Sequence, residues 1–140
     1  MATSYRNINF KYKDIGNGRY RPIIPIEIGA TDTLYYEVLV DSGADYCIFN
    51  DEVAEAIGIE DITTGVKFKF GGVTGKSEVG YSHTETIAVK DCSYQTKVGF
   101  SASIRDDGIG IVGQKGFFDR FAIKFDYSKK DVILRKKKWA

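Results

Sequence analysis

Along most of the chain, apolar residues alternate with polar ones, the apolar set is rich in β-branched and aromatic types, and Gly, Asp and Asn bound the runs. A period of two turns successive side chains to opposite faces, so such a pattern builds strands with one buried face and disfavours long helices. Tyr20 to Ile28 and Leu34 to Val40 read as two strands, joined by the turn-forming residues Gly29, Ala30, Thr31, Asp32 and Thr33. Pro22 and Pro25 are expected to place the first of these at a sheet edge, because proline cannot donate to a central ladder. Val66 to Gly71 and Lys76 to Val89 read as a long hairpin with a glycine-rich tip at 71–75. Further strands are expected at Gln95 to Ser103, Phe121 to Tyr127 and Asp131 to Arg135.

Helical signals are few. Asn50 can cap a short helix whose first turn holds Asp51 and Glu52, and Gly58 can end it. One or two further helical turns are expected across Gln114 to Phe121. No internal repeat or linker divides the chain, and its 140 residues suit a single domain. At this length folding buries roughly two thirds of the unfolded surface, so no disulfide framework is required. With 43% hydrophobic and 28% charged residues, the composition excludes a disordered chain.

The net charge of +1 indicates no strongly charged partner. Residues 1–14 carry no apolar core of a secretory signal, and no run approaches the roughly 18 apolar residues of a membrane span. A cytoplasmic location without membrane contact is therefore expected. Cys47 and Cys92 form no C-x-x-C pair and read as free, buried thiols.

The segment that carries chemistry is Val38-Leu39-Val40-Asp41-Ser42-Gly43-Ala44-Asp45. An apolar strand ends there in an acid, a hydroxyl residue that can fix a loop, and a glycine that permits close backbone approach. Taken alone, these residues equally describe a strand-ending turn. Their neighbours separate the two readings. Arg21-Pro22-Ile23-Ile24-Pro25-Ile26-Glu27-Ile28-Gly29 precedes the acid by one hairpin, and Ile111-Val112-Gly113 follows it much later.

This order resembles the retropepsin-like, or retroviral-type, aspartic peptidases. In that family an Asp-Thr/Ser-Gly-Ala loop carries the catalytic acid, a glycine-rich hairpin forms a flap, and a hydrophobic-hydrophobic-Gly element packs behind the loop. The resemblance extends over residues 20–134. It implies a mainly β, closed-barrel-like fold with a flap hairpin and one or two short helices. It further implies an aspartic endopeptidase acting on extended peptide or unfolded protein, with no cofactor or metal ion.

By the same resemblance Asp41 is the catalytic acid, Ser42, Gly43 and Ala44 complete its loop, and Ile111, Val112 and Gly113 pack behind it. Gly43, Asp45, Gly72, Val73 and Thr74 would contact substrate, and Arg21 would pair with Asp45 across a homodimer. One acid per chain suffices in such a dimer, because two adjacent carboxylates share one proton and so supply both a base and an acid. Gln114 departs from the pattern, since many members place an Arg there to brace the loop. Its neutral side chain leads one to expect a weakly supported loop and dimer. A different class of function, a catalytically silent module that keeps the cleft for peptide recognition, is the alternative, and retention of Asp41 disfavours it.

Other motifs lead elsewhere. Gly71 to Ser77 ends in Gly-Lys-Ser, but Phe70 stands where a phosphate-binding loop requires its first glycine, and the continuation alternates like a strand. His83 is the only histidine and has no nucleophile or ligand motif beside it, so it reads as an ordinary strand residue. The basic run Arg135 to Trp139 reads as a solvated tail, and no nucleic acid is expected among the partners.

Overall fold

The computed structural model describes residues 7–71, 75–105 and 107–137. Its strands are β1 (Asn7–Lys11), β2 (Lys13–Gly16), β3 (Arg19–Arg21), β4 (Ile23–Ile28), β5 (Leu34–Val40), β6 (Ile48–Asn50), β7 (Val66–Gly71), β8 (Ser77–Val89), β9 (Cys92–Ser101), β10 (Ile109–Val112), β11 (Phe121–Asp126) and β12 (Asp131–Lys136). A single short α-helix among the described residues, α1 (Asp51–Ala56), follows β6. Its cap is the expected one, with the Asn50 side chain accepting from the Glu52 N–H.

Six strands close on themselves in the order β4-β5-β10-β6-β9-β8, the last pairing back to β4 through Glu27 with Ala88 and Ile28 with Ile87. The barrel is mixed, since β10 runs parallel to β5 and β6 runs parallel to β9 while the other pairs are antiparallel. Closure removes the exposed edges that an open sheet would present. Alternate residues fill its interior: Ile24, Ile26 and Ile28 from β4, Val38 and Val40 from β5, Phe49, Ile87, Val89, Phe100 and Val112 from the others. β7 continues beyond the barrel, paired only with β8 as the outer arm of the predicted long hairpin. A three-stranded sheet in the order β1-β12-β11 packs Phe121, Val132 and Leu134 into the same core.

Several expectations are corrected. The run from Tyr20 to Ile28 is two strands broken at Pro22, and β3 pairs with β2 instead of continuing the barrel. Pro25 lies in the part of β4 paired on one side only, as its missing N–H requires, but Glu27 and Ile28 are paired on both sides. Strand β4 is thus no edge strand at its C-terminal end. The segment from Gln114 to Phe121 forms a chain of turns without an α-helix, with the N–H groups of Phe118 and Asp119 reaching back five residues to Gly113 and Gln114. Gly116 interrupts any helix there with a φ of +102°, and it packs so tightly that an added Cβ would lie 3.2 Å from Cys47 Sγ. The basic run is also no tail at its start, because Arg135 and Lys136 belong to β12 and the Lys137 N–H donates to the Arg120 carbonyl.

Candidate active site

Strand β5 delivers Asp41 to the surface directly from the barrel core. Val38 and Val40 point inward, whereas Leu39 faces the other way; on the parallel neighbour β10, Val112 points inward and Ile111 faces outward beside Leu39. The Asp41 N–H then donates to the Val112 carbonyl at 3.0 Å, which extends the β5–β10 ladder into the loop. The Ala44 N–H returns to the Asp41 carbonyl at 3.1 Å, and the Gly43 N–H donates to Asp41 Oδ1 at 2.9 Å. The carboxylate is therefore oriented by its own turn. Asp41 is half-buried, while Ser42, Gly43 and Asp45 are exposed.

The segment after β10 supports the loop from behind. Gln114 and Lys115 donate their N–H groups to the Ala44 and Asp45 carbonyls at 2.8 and 2.9 Å. Gly113 is needed for this approach, because a Cβ there would fall 2.4 Å from the Ala44 oxygen and 2.6 Å from the Tyr46 oxygen. Val112 and Gly113 thus lie against the acid loop, and Ile111 lines the recess beside it.

Gln114 corrects the expectation of a weakly held loop. Its Nε2 donates to the Ser42 carbonyl at 2.9 Å, so a neutral amide braces the loop within the chain. The side chain is exposed, and the bond competes with water. Gln114→Ala should accordingly cost about 1 kcal/mol and lower the melting temperature by about 3 °C. Thermal denaturation of the two proteins checks this, and an unchanged melting temperature would show that the amide carries no load.

The remaining predicted residues are distributed as follows. Arg21 is exposed at the end of β3 and donates to the Tyr20 carbonyl at 3.0 Å. Lys11–Asp131, Lys13–Glu37 and Arg105–Asp107 form ion pairs, and among the described residues neither Arg21 nor Asp45 has such a partner. Gly72, Val73 and Thr74 lie outside the described residues. The adjoining Phe70 and Gly71 face Gly43, Ala44 and Asp45 across a recess of about 230 Å3, which Tyr46, Ile48, Ile104 and Ile111 complete. A larger recess of about 580 Å3 adjoins it through Ile104 and Ile111; Ile23, Leu39 and Ile109 give it apolar surface, and Arg21, Arg105 and Asp107 also line it. Sequence reading missed these apolar walls, although the two-residue period already set Leu39 and Ile111 on the face opposite the core.

The groups that alternative chemistries would need are committed elsewhere. His83 Nε2 sits 2.8 Å from the Ile62 carbonyl, which can only accept, so this nitrogen carries the proton. Its ring also packs edge-on against Phe100. Cys47 is fully buried and burial pushes its thiol up to about 12, which suits a packing residue and not a nucleophile. Ser77 opens strand β8 where a phosphate-binding loop would start a helix. Among the described residues no three potential metal ligands gather, and no helix is long and apolar enough to cross a membrane.

No family model and no curated protein sequence matches the chain. Solved structures do. A retropepsin-like aspartic protease from Rickettsia conorii superposes with a TM-score of 0.66 at 18% identity, covering 94% of this chain and 100% of that one. The retroviral protease-like domain of Ddi1 from Leishmania major gives 0.55 at 15% identity over 84% and 94% of the two chains. EIAV protease, in complex with the inhibitor HBY-793, gives 0.50 at 22% identity over 72% and 88%. The closed mixed barrel with its attached hairpin is thus the retropepsin fold.

Proposed function

We propose that this chain, built on the retropepsin fold, is an aspartic endopeptidase that works as a homodimer, each copy supplying one Asp41 to the catalytic pair. The observation that carries this reading is the acid loop. A half-buried carboxylate is oriented by the Gly43 N–H and held from behind by Gly113 and Gln114, while Ser42 and Gly43 remain exposed beside it. Such an exposed loop is accessible to its own copy about a two-fold axis.

In the assembled pair one carboxylate is ionised and the other protonated, because two adjacent negative charges repel. The ionised acid takes a proton from water, whose oxygen attacks the peptide carbonyl carbon. The protonated acid donates to the carbonyl oxygen. Collapse of the tetrahedral species then breaks the C–N bond, a proton passes to the leaving amine, and the pair is restored. Ser42 braces the two loops across the axis, and Asp45 of one copy meets Arg21 of the other.

The substrate is an extended peptide, laid between the acid loop and the β7–β8 hairpin so that alternate side chains enter pockets. Gly43 and Asp45 contact its backbone from below. The apolar floor of Ile23, Leu39, Ile109 and Ile111 favours apolar side chains near the scissile bond.

Shared chemistry makes activity depend on concentration. Specific activity should fall on dilution in parallel with the dimer fraction measured by sedimentation. Asp45→Ala should shift both curves to higher concentration, by about fivefold if the ion pair stays exposed and by more if the interface buries it. A parent that sediments as a monomer throughout while keeping constant specific activity would eliminate the shared site.

A further inference from the structure

The two recesses beside the acid loop are part of a longer row. The recess facing Gly43 to Asp45 shares Ile104 and Ile111 with the apolar one on its first side, and it shares Tyr46 with a third on its other side. This third recess, of about 490 Å3, lies under the flank of β7, between Phe68 and the segment from Thr96 to Gly99. The Tyr46 and Phe68 rings meet edge to face at 5.2 Å, so its wall is aromatic, and Val98 adds apolar surface.

The apolar recess is lined by Arg21, Arg105 and Asp107 as well, but there Arg105 and Asp107 pair with each other. Lys97 and Lys115 belong to the lining of the third recess; both are exposed, and among the described residues neither has an ion-pair partner. The Lys115 ammonium lies over the Tyr46 ring, 5.6 Å from its centre. Asp119 is the only acid on the lining, and its Oδ1 accepts from the Gly116 N–H at 3.1 Å. An aromatic wall that can cover methylene groups, next to two ammonium groups without ion-pair partners that outnumber the one acid, suits a short apolar stem ending in a carboxylate.

We propose that this third recess is a distal subsite for a Glu or Asp side chain of the bound peptide, with Lys97 and Lys115 as the residues that set the preference. The inference rests on reading the Asp41 face as a peptide cleft. An extended chain turns every second side chain toward the same floor, so one that fills the apolar recess with one residue presents another to the aromatic recess farther along. The protein then reads apolar residues near the scissile bond and an acid several residues away.

The test is a binding measurement that needs no cleavage. Fluorescent unstructured peptides, with apolar residues at alternate positions and Glu, Gln or Lys scanned through the rest, are titrated onto the full-length Asp41→Asn protein. At one position Glu should bind about 10-fold more tightly than Lys, equivalent to 1.4 kcal/mol, and added salt should reduce the difference. Lys97→Gln combined with Lys115→Gln should abolish the preference, and the corresponding Glu pair should invert it. Equal binding of all three series, or a preference that survives both charge reversals, overturns the subsite. The two readings fail separately. If the parent cleaves peptides without preferring an acid at any position, only the subsite is lost. An inactive parent whose Asp41→Asn form keeps the lysine-dependent preference loses only the peptidase reading, and peptides that do not bind at all overturn both.

Discussion

Asp41→Asn abolishes cleavage of an unstructured protein substrate, reducing the rate by a factor on the order of 10²–10⁴ or more, while the variant melts within a few degrees of the parent. The amide has nearly the shape of the carboxylate. Its oxygen can still accept from the Gly43 N–H, and the Asp41 backbone bonds to Val112 and Ala44 involve no side-chain atom. What disappears is the ability to exchange a proton, on which a paired-acid mechanism depends at two steps. The shared site adds a sharper consequence. When a fixed amount of parent is mixed with excess Asp41→Asn chain, most parent subunits should pair with inactive ones, and activity should fall although the amount of active chain is unchanged. A variant that cleaves at the parent rate would remove Asp41 from the chemistry. Undiminished activity in the mixture would instead show that each chain works alone.

Gly113→Ala is expected to have the largest effect of any single methyl group added near the site. The new Cβ would fall 2.4 Å from the Ala44 oxygen and 2.6 Å from the Tyr46 oxygen, and both obstacles are backbone. No side-chain rotation can relieve such a clash, so either the acid loop or β10 must move. Overpacking of this kind costs about 3 kcal/mol, or roughly 10 °C in melting temperature for a chain of this size. Because the Gln114 and Lys115 N–H groups hold Ala44 and Asp45, the displacement also breaks the support behind Asp41. Activity should therefore be lost in the fraction that remains folded. Thermal denaturation together with activity measured well below the transition checks both parts. A variant that melts within a degree of the parent and retains full activity would show that the loop has room to shift.

Local pattern alone determined much of this architecture. The alternation in Leu34 to Val40 predicts a strand, and Asn50 followed by two acids predicts a capped helix at Asp51. Asp41 follows as the residue at which an apolar strand leaves the core. These features depend on residues a few positions apart, and their period and capping chemistry are written in the same stretch of chain.

Tertiary structure decided what the pattern leaves open, namely which strands pair and in which register. β1 pairs with β12 across most of the chain, from Asn7 opposite Arg135 to Lys11 opposite Asp131. Two strands so far apart in sequence carry no local sign of each other. The same holds for the closure of β4 on β8, which makes a barrel from a row of strands. At Gln114 to Phe121 the apparent helix gave way to turns, because Gly116 had to fit against Cys47 and Thr96 with a positive φ. Gln114 itself shows why composition misled: a neutral amide looked like a missing brace until its Nε2 was seen on the Ser42 carbonyl, 72 residues away in sequence. Hydrogen bonds and packing contacts between distant segments depend on how the closed barrel brings them together, and that geometry exists only once the barrel has closed.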